Sequence, residues 1–160
     1  MKSIFCAGLF IYTLMLIGCT PIEKTTKSDQ INDEKVVLGY INPNTFQLYD
    51  IATEVKYGYT SEFSIKVGGR VEGDHVLNER RYLNALTGPK GETVVYKQLG
   101  SCCYVKKNIR GENQLTYLDK FEIFYKGNPQ RFIIFINTFE AAKMFAPKGF
   151  SFKVKAKKNS

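Results

Sequence analysis

Residues 117–137 read YLDKFEIFYKGNPQRFIIFIN, and the reading of this stretch decides the fold. Two runs rich in aromatic and β-branched residues flank Lys126-Gly127-Asn128-Pro129. Gly, Asn and Pro are turn residues for separate reasons: Gly admits a left-handed backbone, Asn tolerates one, and Pro presets φ. The pattern predicts a β-hairpin with strands over 117–125 and 131–137. In the second strand Phe132, Ile133, Ile134, Phe135 and Ile136 are apolar in succession. Side chains alternate between the faces of a sheet, so such a run is expected in a central strand covered on both sides.

On the N-terminal side, apolar runs at 36–41 and 46–51 are separated by the turn sequence Asn42-Pro43-Asn44-Thr45. Val55, Tyr57 and Tyr59 alternate with Lys56, Gly58 and Thr60, a third strand pattern. Phe63, Ile65 and Val67 repeat it before Gly68-Gly69 interrupts. A helix is expected over about 78–87. Asn78 is placed to cap it, Glu79 suits its positive end, and Leu77 and Tyr82 are spaced as a hydrophobic staple. Tyr82, Leu83 and Leu86 share one face, and Gly88-Pro89 stop the helix. A strand follows over about 93–99, then Cys102-Cys103-Tyr104-Val105 and a polar stretch to Gln114. Beyond the hairpin, Thr138 is placed to cap a second short helix over about 139–145, ended by Pro147. In the tail, Phe150, Phe152, Val154 and Ala156 alternate with Ser151, Lys153, Lys155 and Lys157, an edge strand with a lysine face. Strands outnumber helices, and the expected class is α+β, a mostly antiparallel sheet with a helix on one face.

The first residues carry an address. After Lys2, residues 4–17 are an apolar run of the length of a secretory h-region and shorter than the ~20 residues of a membrane span. Leu16-Ile17-Gly18-Cys19 resembles the lipobox of bacterial lipoproteins, in which a Cys thiolate, a strong side-chain nucleophile, takes up a diacylglycerol group. The organisation expected is a signal peptide over 1–18, a lipidated Cys19 with a polar tether over 19–35, and one globular domain over 36–160. An uncleaved anchor and an ordinary cleaved signal are the two other readings of the same segment. Thr20, where lipoproteins kept in the inner membrane carry Asp, points to the outer membrane. Residues 20–35 are too polar to bury a core of their own.

Lys plus Arg total 23 against 15 Asp plus Glu, and loss of Lys2 with the signal leaves a formal charge of +7. For an exported basic domain the expected partners are the membrane, through lipid on Cys19, and an anionic component of the cell envelope; nucleic acid is not among them. The alternative is that the charge serves solubility alone.

Chemistry-bearing groups are sparse. The vicinal pair Cys102-Cys103 allows three arrangements: a buried core thiol, a disulfide between neighbours, or a nucleophilic or metal-binding site. Arg70, Arg80 and Arg81 are candidates for an anion site, against the alternative that they are solvated or paired with Glu79. Lys153, Lys155 and Lys157 form a candidate basic surface. His75 is the sole histidine, which excludes a multi-histidine metal site, and Gly68-Gly69 is not followed by the residues of a phosphate loop. Asp50, Glu54 and Glu62 show no pairing by spacing. No metal, cofactor or catalytic set is therefore expected. The function expected is that of a non-enzymatic binding or structural module, with a small thiol-dependent redox protein or enzyme using Cys102 and Cys103 as the alternative.

Gly58-Tyr59-Thr60, Ile65-Lys66-Val67-Gly68-Gly69, the segment Asn78-Glu79-Arg80-Arg81-Tyr82-Leu83-Asn84-Ala85-Leu86, Leu99-Gly100-Ser101-Cys102-Cys103, Phe135-Ile136-Asn137 and Pro147-Lys148-Gly149-Phe150 resemble a family of small exported bacterial proteins of unknown function. The resemblance covers roughly residues 57–152. Some members carry the label 2-dehydro-3-deoxyphosphooctonate aldolase. That cytoplasmic enzyme is a (β/α)₈ barrel of about 250 residues. Residues 36–160 are half that length and lack the repeating strand–helix pattern, so the label does not transfer.

Overall fold

The hairpin at 117–137 is the centre of a four-stranded sheet. The computed structural model of the protein describes residues 36–109 and 112–155. Cys19, the segments 1–18 and 19–35, Ala156 and Lys157 lie outside the described residues. In chain order the elements are β1 (Tyr40–Asn42), β2 (Thr45–Phe46), β3 (Ile65–Lys66), α1 (His75–Ala85), β4 (Leu86–Thr87), β5 (Val94–Ile109), β6 (Glu112–Tyr125), β7 (Phe132–Asn137) and β8 (Ser151–Phe152). The fold is α+β, with mostly antiparallel strands and, among the described residues, a single short helix. Among the described residues no helix is long and apolar enough to cross a membrane.

The main sheet has the order β3-β7-β6-β5. β6 and β7 pair antiparallel, with Phe121 opposite Ile134 and Ile123 opposite Phe132. β7 lies between β6 and the short β3, which runs parallel to it. Ile134 and Ile136 are fully buried, whereas Phe132, Ile133 and Phe135 are half-buried, so one face of β7 is sealed more completely than the other. β1 and β2 form a small hairpin across Asn42–Thr45, and β4 pairs with β8. The core joins Phe46 and Leu48 to Ile65, Val67, Tyr82, Leu83, Phe121, Ile123, Ile134, Ile136, Met144 and Phe150. Fully burying a large apolar side chain contributes about 1.5–3 kcal/mol each.

α1 begins earlier than its sequence pattern indicates. Asp74 occupies the cap position without a side-chain bond to the helix. Asn78 lies one turn inside, its Nδ2 donating to the Val67 carbonyl at 3.2 Å. It therefore ties the helix to the strand before it rather than capping. Gly69 makes this approach feasible: its φ is +94°, and a Cβ there would stand 2.5 Å from Asn78 Nδ2. At the other end Leu86 has left the helix for an extended conformation and begins β4.

The helix expected over 139–145 is absent, and the segment is bends and isolated bridges. Asn137 Oδ1 accepts the N–H groups of Phe139 and Glu140, a local side-chain turn that competes with helix formation. Ala142 N–H donates to the Lys66 carbonyl, and Ala146 N–H to that of Asp50. Backbone groups that a helix would have used internally are thus committed to neighbouring segments. The strand expected over 55–60 is also absent. Glu54 accepts the Lys56 N–H, and successive turns fold 54–63 back until Gly58 donates to the Phe63 carbonyl. The tail pairs only at Ser151–Phe152. Phe150 is buried and Phe152 half-buried, but Val154 is 75 % exposed, so the alternation ends before the last lysines.

The longest element is one whose distal half has little apolar content. β5 and β6 form a hairpin from Val94↔Tyr125 out to Ile109↔Glu112, with register shifts between Gln98 and Gly100 and between Cys102 and Tyr104. The second shift is a β-bulge, which adds an unpaired residue and bends the strand. That residue is Cys103, with φ +56°, the one non-glycine residue in the left-handed region among those described.

Candidate functional site

The cysteine pair and a cluster of buried charged groups meet on the β5–β6 hairpin. Cys102 stands opposite Leu118, and Ser101 stands opposite Asp119. Cys102 and Cys103 are joined as a disulfide, their Cα atoms 3.8 Å apart. Cys102 is half-buried and Cys103 exposed. Ser101, Cys102, Tyr104 and Tyr117 line an open recess of about 270 Å³ beside the bond.

Behind the recess lies Asp119, 5 % exposed. The Ser101 hydroxyl donates to its Oδ1 at 2.6 Å, and Arg70 Nη2 lies 3.6 Å from its Oδ2. Arg70 is held in turn by a bond from Nε to the Thr138 hydroxyl at 3.3 Å. Its guanidinium carbon lies 5.0 Å from the centre of the Tyr117 ring and 4.9 Å from that of Phe139, which meet edge to face. Stacking between two rings suits a planar, weakly hydrated cation.

The fourth member is Glu79 of α1, 3 % exposed. Burial pushes its carboxyl up to about 8; a hydrogen bond to Asp119 and that residue's charge add to the shift, while Arg70 and Arg80 oppose it. Two carboxyl groups that share a hydrogen bond must hold a proton between them, and burial assigns it to Glu79. Its Oε1 has no hydrogen-bond partner among the described residues. The cluster is therefore a buried polar network: α1 supplies Glu79, β6 Asp119, β5 the Ser101 hydroxyl, and the loop after β3 the Arg70 cation. Ser101 is the member that also faces the recess.

The structure distributes the candidate residues in a definite way. Arg70 is committed to Asp119. Arg81 donates from Nε to the Pro43 carbonyl and from Nη1 to Asn78 Oδ1, with its guanidinium over Tyr40. Arg80 is exposed. The three arginines thus face different partners, although Arg70 and Arg80 both act on Glu79. Lys153 and Lys155 are exposed, and the Lys153 N–H anchors the tail to the Ala85 carbonyl. Asp119 had escaped the sequence reading, since a lone Asp in an amphipathic strand looks like a solvent-facing residue. The one available signal was its position in the strand: Asp119 shares the face of Phe121 and Ile123, two and four residues on, which are core.

No protein-family model matches the chain, and neither a curated protein nor a solved structure matches it.

Proposed function

We propose that the protein is an exported lipoprotein, anchored to the bacterial outer membrane through acyl chains on Cys19, whose domain binds an anionic component of the cell envelope without catalysing a reaction. The observation that carries this reading is Leu16-Ile17-Gly18-Cys19 at the end of an apolar run that follows Lys2. Multiple acyl chains on one residue make a firm anchor, because each buried CH₂ contributes about 0.8 kcal/mol. The polar residues 20–35 then serve as a tether. Support for binding over catalysis comes from the disposition of charge. The buried carboxyl pair is covered by α1, Arg70 and Ser101, whereas Arg80, Lys153 and Lys155 are exposed to a partner. An exposed cationic surface draws anions through long-range attraction that salt screens.

Growth of the native cell with labelled fatty acid, followed by fractionation, tests the anchor. The protein is expected to carry label and to sediment with membranes, and Cys19→Ser is expected to lose both. An unlabelled parent protein, or a native form that retains Met1, refutes the anchor. The binding surface is tested by recovering partners with Lys153, Lys155 and Lys157 changed to Glu. Recovery is expected to fall, and undiminished recovery removes that surface from the proposal.

A further inference from the structure

We propose that Cys102–Cys103 is a thiol–disulfide exchange site that accepts electrons from a dithiol reductant. The proposal rests on the export reading only for its resting state, since an oxidising compartment keeps such a pair closed.

Four observations argue against a purely structural role for the bond. First, a disulfide stabilises mainly by closing a loop of the unfolded chain, and the gain grows with loop length. This pair has a sequence separation of 1, so it closes nothing beyond its own peptide. Second, the bond sits on a bulge where Cys103 has φ +56°, a conformation that costs a non-glycine residue of order 1–3 kcal/mol. Backbone strain of this kind persists where the surroundings hold it and clusters at functional positions. Third, the bond is accessible: Cys103 is exposed, and the recess beside Cys102 is open between Tyr104 and Tyr117. Adjacent residues also hold their Cα atoms at 3.8 Å, shorter than the usual disulfide span of about 4.4–6.8 Å, which favours the open dithiol.

Exchange begins at the more exposed residue of the pair. A thiolate of the reductant attacks Cys103 Sγ; the new S–S bond forms as the Cys102–Cys103 bond breaks, and Cys102 leaves as a thiolate that takes a proton from water. The second thiolate of the reductant then attacks its own sulfur in the mixed disulfide and releases Cys103 as a thiolate, protonated in turn. Two electrons pass to the protein, and the reductant becomes a disulfide. Past the bulge, pairing resumes at Tyr104↔Tyr117, and Tyr117 is one of the two rings that hold Arg70 against Asp119. The bond therefore lies at the point where the hairpin sets the position of the buried network.

The test uses the full protein from its native cell, equilibrated in a graded series of reduced and oxidised glutathione. Alkylation and fragmentation of the tryptic peptide 98–106 follow; this peptide holds both cysteines of the pair and neither Cys6 nor Cys19. A failure of lipidation at Cys19 therefore leaves the readout untouched. The expected result has no alkylated pair without reductant, then at least a tenfold lower reduced-glutathione requirement than a stable structural disulfide in a control protein in the same tube. Oxidised glutathione is expected to close the pair again, and Cys102→Ser to accumulate glutathione on Cys103 with an unchanged far-ultraviolet spectrum. Free thiols before reduction, resistance equal to the control, or an adduct first on Cys102 each overturn the proposal.

Discussion

At the scale of single residues, the defining feature is one proton. Glu79 keeps its proton in the folded protein up to about pH 8, while its ordinary value is 4.5. Between these values the native state binds a proton that the unfolded chain has released. Its contribution to stability is complete below about pH 4.5 and is lost as the pH rises toward 8, at no more than about 1.4 kcal/mol per pH unit. The groups facing it are Asp119, Arg70 and Arg80, with His75 one turn earlier on α1. Glu79→Gln keeps a neutral side chain with an N–H donor for Asp119 and removes the titration. Urea midpoints measured from pH 4.5 to 8 are expected to fall for the parent and to fall less for the variant. Parallel curves would show that Glu79 is ionised throughout. The sequence placed Glu79 at the start of a helix, where a carboxylate meets the positive end in solvent. The actual start three residues earlier moves it a turn inward, so a small error in a boundary inverted the reading of its charge.

At the scale of elements, β7 and the hairpin around Lys126–Pro129 were legible because their signals are local: apolar alternation, turn residues, and an uninterrupted apolar run. The helix over 139–145 was misread because propensity and a capping Thr say nothing of where backbone hydrogen bonds go. In the folded chain Asn137, Lys66 and Asp50 accept them. The outer half of β5–β6 was missed for the opposite reason, since a polar hairpin arm carries no apolar pattern. Gly69 shows how one element positions another. Gly69→Ala is expected to destabilise by about 2 kcal/mol or more, from its left-handed backbone and the clash with Asn78. Gly73→Ala separates the two causes, because Gly73 is also left-handed (φ +83°) but has nothing within 4 Å of its would-be Cβ. Thermal unfolding of both variants is the measurement. Equal losses would mean that the approach of α1 to residue 69 contributes nothing.

At the scale of the whole molecule, the class of fold followed from counting strands and helices, but the strand order did not. The parallel pairing of β3 with β7 joins segments far apart in the chain, and no periodicity within either strand specifies its partner. What the assembled core does specify is where the folding information lies. Among the described residues its buried side chains run from Phe46 to Phe150, and the partly buried ones packed against them extend the set to Leu38 and Phe152. Stability resides in such burial, opposed by the entropy of ordering the chain. Residues 20–35, too polar to bury a core of their own, have the composition of a tether and are expected to add little to either quantity. A chain beginning at residue 36 should therefore unfold within about 0.5 kcal/mol of one beginning at residue 20, the range of substitutions remote from a core. The comparison needs both chains at one pH, given the titration of Glu79, and the same oxidation state of Cys102–Cys103. A midpoint for the shorter chain lower by more than that margin would place residues 20–35 against the domain. The polar segment would then be part of the folded structure instead of a tether.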